Sequence, residues 1–230
     1  MEVFLVPVGP ARYELYSEHV EAETSLDGDV PQTGVMARAR QAFADMLLAA
    51  ADRERAKREG HWQEPAGRFA RLRDRATAWV AERVAEQQLH WNLRKRTTVA
   101  LVHPADVSPE VALATVREAL TQDKRRHRGW AAAHAVFFAL GGVLAPLPGP
   151  NLVAYLFAFR MVGHWLSMRG AVQGLTRVQW TPRASGALAE MTEALTLPPE
   201  ARHPRVADIA ARLNLKDLPA FVERVRLRRA

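Results

Sequence analysis

Arg160 and His164 stand one helical turn apart in "FRMVGHW", at the end of the longest apolar run in the chain. On a helix that spacing puts a guanidinium and an imidazole on one face. There they could grip an anionic headgroup, pass a proton, or pair with each other's partners inside a packed interface. The run itself contributes one further imidazole, His134. Folding the run about residues 148 and 149 sets His134 opposite Gly163 and His164, near Trp130 and Trp165, with Arg160 one turn deeper. His134, Arg160 and His164 are therefore the polar candidates for a membrane-embedded site. For the two histidines a structural or headgroup-binding role ranks above proton relay.

Other chemistry is poorly supplied. The chain has no cysteine, which excludes disulfides, thiolate metal ligands and a thiol nucleophile. Glu86 and His90 have helical i, i+4 spacing, but one Glu and one His make no metal site without further ligands, and a solvated helix face is the expectation. Gly141-Gly142 ahead of "PLPGPN" lacks the Gly-Lys-Ser/Thr end of a phosphate loop. No Ser–His–acid constellation is legible. The expectation is a protein that is not an enzyme, with no catalytic residue, no metal and no cofactor.

The elements that carry these residues follow from the patterning. "EVFLVPV" reads as a strand closed by Gly9-Pro10, followed by a polar, acidic loop to about Thr33. Helical spacing then predicts one helix up to Gly60 and a second from about Arg68 to Arg94. "TTVALVHP" predicts a second strand. Ser108 predicts an N-cap, with Pro109 at the first helical position and Glu110 at the positive end, for a helix running to "KRRHR". "TRVQWTP" predicts a third short strand, and the tail predicts two short helices parted near Asn214 to Pro219. The fold class is α+β and predominantly helical, with two or three short strands and an apolar helical hairpin.

That hairpin is the central expectation. Gly129 to Phe159 carries no formal charge and is interrupted only by Pro146, Pro148, Gly149, Pro150 and Asn151, which cannot continue a helix and so form the turn. The first arm, Trp130 to Leu147, would reach roughly 27 Å at the α-helical rise. A hydrocarbon core is about 30 Å thick, so a shallow or re-entrant hairpin competes with two full spans. Arginine at the bilayer centre costs about 2.5–3.5 kcal/mol on insertion scales, which favours shallow placement of Arg160. Three regions result: 1–128, a helical or α+β cytoplasmic part; 129–169, the membrane-associated hairpin; and 170–230, a small helical end.

Charge points to the same partner. The net charge is +7, and no Asp or Glu occurs from Lys124 to Ala189, where eight Lys and Arg residues lie. Without those eight the chain holds 24 basic against 25 acidic residues, so the whole excess surrounds the apolar run. Lys124, Arg125, Arg126, Arg128 and Arg169 form a collar suited to anionic lipid headgroups. The alternative is a soluble or peripheral basic protein binding nucleic acid through residues 198–230, whose rhythm is that of a helix-turn-helix. Pro219 near the start of the would-be recognition helix, and the core-like Phe221, Val222 and Val225, weigh against it.

The stretches "MEVFLVPVG", "EQQLHWNLRKRTTVALVHPAD" and "PLPGPNLVAYLFAFRMVGHW" are similar to the mitochondrial K+–H+ exchange-related family, which has bacterial members. The resemblance implies a membrane-associated protein involved in potassium–proton exchange within a homo-oligomer or larger membrane complex. The family offers no catalytic motif to map. The N-terminus lacks the look of a presequence, which predicts the cytoplasmic face of a bacterial inner membrane, or the mitochondrial inner membrane in a eukaryote. Ion carriers hold cations on intramembrane carboxylates, and residues 124–189 have none, so the expectation is an accessory or regulatory component.

Overall fold

The computed structural model describes residues 1–18, 67, 71, 89–143 and 152–227. The expected helix up to Gly60, most of the one expected from Arg68, and the turn residues Pro146, Pro148, Gly149, Pro150 and Asn151 lie outside the described residues. The protein is a predominantly helical α+β fold. The described elements are β1 (Glu2–Gly9), β2 (Arg12–Tyr16), β3 (Thr98–Pro104), α1 (Pro109–Val143), α2 (Leu152–Thr176), β4 (Gln179–Ser185), α3 (Gly186–Ala194), α4 (Pro199–Arg212) and α5 (Leu218–Leu227). Contacts divide the chain into two compact units. One comprises 1–21, 92–124 and 170–230, the other 22–91 and 125–169.

The first unit is organised by a sheet of strand order β2-β1-β3-β4. β3 lies parallel to both β1 and β4, while β2 returns antiparallel along β1. Apolar β1 and β3 occupy the middle, where both faces are covered and near-continuous hydrophobic runs are stable. Phe4, Val6 and Val102 point to one face and pack with Leu188, Met191, Val206, Ile209, Leu218 and Val222 of α3, α4 and α5. By strand alternation Val3, Leu5, Val99 and Leu101 point to the other, each at most 1% exposed. Burying each such side chain contributes about 1.5–3 kcal/mol before entropy is counted.

Two features correct the sequence reading. Arg12–Tyr16 is a strand rather than the start of a loop, giving four strands instead of two or three. Its pairing requires the chain to reverse over Pro10 and Ala11, and Ala11 takes a left-handed φ of 50° to do so. The helix capped by Ser108 does not stop at "KRRHR": α1 continues through Gly129 to Val143 as 35 residues. An interior glycine costs only about 1 kcal/mol, and good helix formers on both sides outweigh it. At its start, the Val111 and Ala112 amides donate to the Ser108 hydroxyl and carbonyl, and the Glu110 carboxyl is held below the usual range first by its own backbone amide and then by that hydroxyl.

The C-terminal pair forms as read from the pattern. Asn214, at φ 56°, ends α4 in a Schellman motif: the Leu215 amide donates to Ala210 O at 2.8 Å and the Asn214 amide to Ala211 O at 3.1 Å. Buried Arg202 is satisfied by the Glu223 carboxylate and by Leu197 O. Gly174 of α2 marks a close approach, since a Cβ there would lie 2.8 Å from Leu120 Cδ1. Trp180 seals the same place, its indole N–H donating to Gly174 O at 2.9 Å.

Candidate functional site

In the second unit, residues 125–143 of α1, residues 152–169 of α2 and the helical residues 89–91 build an aromatic and imidazole cluster. Its local logic begins on α1. The buried stripe that carries Ala112, Val116 and Leu120 continues at seven-residue intervals, and the positions it reaches are His127 and His134. Both imidazoles are buried, at 4% and 5% exposure. On α2 the small residue Gly163 and the hydroxyl of Ser167 leave room for a neighbouring ring. The Trp91 indole N–H fills it, donating to Ser167 Oγ at 3.0 Å and Gly163 O at 3.2 Å.

His127 Nδ1 lies 2.8 Å from His164 Nδ1, so one of these nitrogens donates and the other accepts. The His90 ring meets His127 edge-on at 5.4 Å between centroids. His164 stacks on His134 at 5.4 Å, and Trp130 stacks on both. Phe157 closes the far side against His134 and Phe137. Burial holds His134 below the ordinary histidine range, and the nearby Arg160 cation adds to the shift, so His134 is neutral at neutral pH. Among the described residues its Nδ1 has no hydrogen-bond partner. Four neighbouring imidazoles can pass a proton, hold a transition metal, or present stacked rings to an apolar surface.

Two of the three polar candidates, His134 and His164, come together as the folded-run pairing expects, and Arg160 lies close enough to His134 to act on its charge state. Of the collar, Arg125, Arg126, Arg128 and Arg169 are exposed and Lys124 is half-buried; Arg169 lies over the Trp165 ring at 5.2 Å. His90 corrects the sequence reading. It is 7% exposed and sits in the cluster, not on a solvated face, while Glu86 lies outside the described residues. His127 went unread because it lies in "KRRHR", a run that looks like a cationic helix end. The signal for it was the seven-residue interval from Leu120 through His127 to His134.

The same stretch of α1 exposes Trp130 and Phe137, at the edge of this cluster, and Val136 and Leu140, between 49% and 59% of each. At 100° per residue these four span an arc of about 120°. Arg126 stands one turn before Trp130 on that face. No helix among the described residues is long and apolar enough to cross a membrane.

The family described as mitochondrial K+-H+ exchange-related matches residues 2–177. The chain belongs to that family. The matched stretch contains β1 to β3 and both long helices, hence the whole imidazole cluster, and stops one residue after α2. No curated protein and no solved structure matches the chain.

Proposed function

We propose that the protein is a membrane-associated accessory or regulatory component of potassium–proton exchange, and neither an enzyme nor a self-sufficient antiporter. The observation that carries this reading is the inverted burial of α1 beyond residue 124. There the helix buries two histidines and turns four large apolar side chains outward, beside exposed arginines. Soluble monomers seldom leave such a contiguous apolar strip uncovered, and a strip rimmed by cations suits an anionic lipid surface. The membership in an exchange-related family supplies the physiological context.

The insertion we propose is shallow. The α1–α2 hairpin lays Trp130, Val136, Phe137 and Leu140 into the interfacial layer while Arg125, Arg126, Arg128 and Arg169 hold phosphates. Such docking needs no spanning helix. Exchange by this chain alone is disfavoured because residues 124–189 offer no carboxylate to carry a cation. On this reading its copies, or other membrane subunits, supply the ion path, at the cytoplasmic face of a bacterial inner membrane or at the mitochondrial inner membrane. The C-terminal helices take a structural part, since Arg205 and Arg212 are engaged by Glu190 and the apolar faces of α4 and α5 lie in the core.

Flotation of the purified chain with liposomes tests the proposal. Binding is expected to vesicles containing anionic phospholipid and to fall sharply with neutral vesicles or on replacing Phe137 and Leu140 by Ser. Equal binding to both vesicle types, or binding unaffected by the double replacement, would contradict it. In vesicles from cells lacking the protein, potassium-dependent proton flux is expected to change. The purified protein alone in liposomes is expected to give little exchange.

A further inference from the structure

His90, His127 and His164 belong to one compact unit, the one comprising 22–91 and 125–169. The Nδ1 atoms of His127 and His164 stand 2.8 Å apart, so one proton lies between two nitrogen lone pairs aimed at each other. Packing holds them there. His127 is buried and meets the His90 ring edge-on, while His164 is stacked on both His134 and Trp130. A ring nitrogen of His90 lies within 4.8 Å of a ring nitrogen of His127. The donors on these helices are nitrogens: α1 after Lys124 and the whole of α2 carry no carboxylate, and the chain has no thiol.

We propose that His127 and His164 bind a divalent transition-metal ion of zinc-like character through their Nδ1 atoms, with His90 as the third ligand. Two imidazoles that share a proton already converge two lone pairs on one point, and a metal ion takes the place of that proton, which leaves to solvent. Tetrahedral zinc with nitrogens at about 2.0–2.1 Å holds them roughly 3.3 Å from one another. The pair, now at 2.8 Å, therefore opens by only about 0.5 Å. His90, already against His127, supplies its nitrogen by side-chain rotation, and a water completes the tetrahedron. Each of His127 and His164 then keeps a proton on Nε2. An all-imidazole set suits zinc and copper and excludes magnesium and calcium, which take oxygen ligands.

The proposal is independent of lipid docking and is tested on the full-length, tag-free chain stripped with chelator. Zinc chloride titrated by calorimetry in excess magnesium is expected to bind at one equivalent per chain, and cobalt(II) to give a tetrahedral d–d spectrum. Imidazole-nitrogen NMR of the wild-type chain identifies the ligands directly. Among its eight histidines, zinc should move the Nδ1 resonances of His127 and His164 and leave their Nε2 atoms protonated. His127→Gln and His164→Gln are each expected to weaken zinc binding by at least about 100-fold, and His90→Gln by about 10–100-fold with stoichiometry retained. His203→Gln, at an exposed histidine of α4, is the control and should bind as the wild type does. The NMR readout needs no variant, so it decides the matter even where a substitution unfolds the chain. Absence of stoichiometric zinc uptake by the folded wild-type chain would overturn the proposal. Shifts confined to other histidines, or unchanged affinity in a folded His127→Gln, His164→Gln double variant, would do the same.

Discussion

From Pro109 to Lys124, α1 buries Ala112, Val116 and Leu120 and turns Arg117 and Glu118 to water; from Arg125 to Val143 it buries His127 and His134 and exposes Trp130, Val136, Phe137 and Leu140. One continuous helix thus follows two burial patterns in succession. The first half is what an aqueous surface and an aliphatic core demand. The second half wastes apolar area on water and spends burial on imidazoles, an arrangement that makes sense when its outward face meets lipid and its inward face has chemical work. A helix can change its environment without a break because its buried stripe is set by geometry, while the residues along it are independent choices.

That difference is open to breaking. The largest effect is expected at the aqueous half: Leu120→Ala removes a fully buried side chain and should cost about 2–5 kcal/mol in urea denaturation. Phe137→Ser in the second half should cost less, no more than about 1.5 kcal/mol, because half of the side chain is exposed and what it gives up is its stacking on Phe157. A large loss from Phe137→Ser would mean that the strip is part of a packed core. Next in size is Gly174→Ala, whose new methyl meets Leu120 and should cost about 1–3 kcal/mol, measured as a lower denaturation midpoint.

Smaller changes sharpen the picture of the first unit. Asn214→Ala should cost about 1 kcal/mol because alanine tolerates the left-handed conformation poorly, and Asn214→Gly should cost nothing or stabilise slightly. The smallest expected effect is a pH dependence. The hydrogen bond from Arg212 holds the Glu190 carboxyl below its ordinary range, outweighing a small opposing burial effect, with the charges of Arg212 and Arg205 adding to it. A depressed carboxylate stabilises the fold above its unfolded pKa, and that stabilisation is lost as pH falls through the folded one. Glu190→Gln should therefore flatten the acid side of a Tm-against-pH curve slightly, since these groups lie at the surface.

Legibility followed the kind of force that decides each element. β1 and β3 could be read because the runs "VFLV" and "VALV" announce buried strands, β4 in part from the β-branched and aromatic residues of "TRVQWTP", and Ser108 and Asn214 because caps and left-handed termini are local chemistry. β2 could not: "RYELY" alternates too many polar groups, and it becomes a strand through pairing with β1 across a turn that strains Ala11. In the candidate site, the pairing of His134 with His164 was legible by folding the sequence about residues 148 and 149. His90 and His127 were not, because their partners are distant in sequence and their neighbours, "LHWNL" and "KRRHR", suggest a solvated face and a helix end. What places them is the register of three helical segments, a tertiary fact.

The natural chain has no cysteine, so a single thiol reports from one place. Nitroxide labels at Phe137→Cys and, in a second protein, at Val111→Cys compare exposed apolar positions from the two halves of α1. With anionic vesicles, power-saturation electron paramagnetic resonance should show the label at 137 becoming accessible to oxygen and shielded from an aqueous nickel reagent, while the label at 111 stays in water. Both labels remaining equally water-accessible on vesicle-bound protein would contradict the assignment of the second half of α1 to the lipid surface.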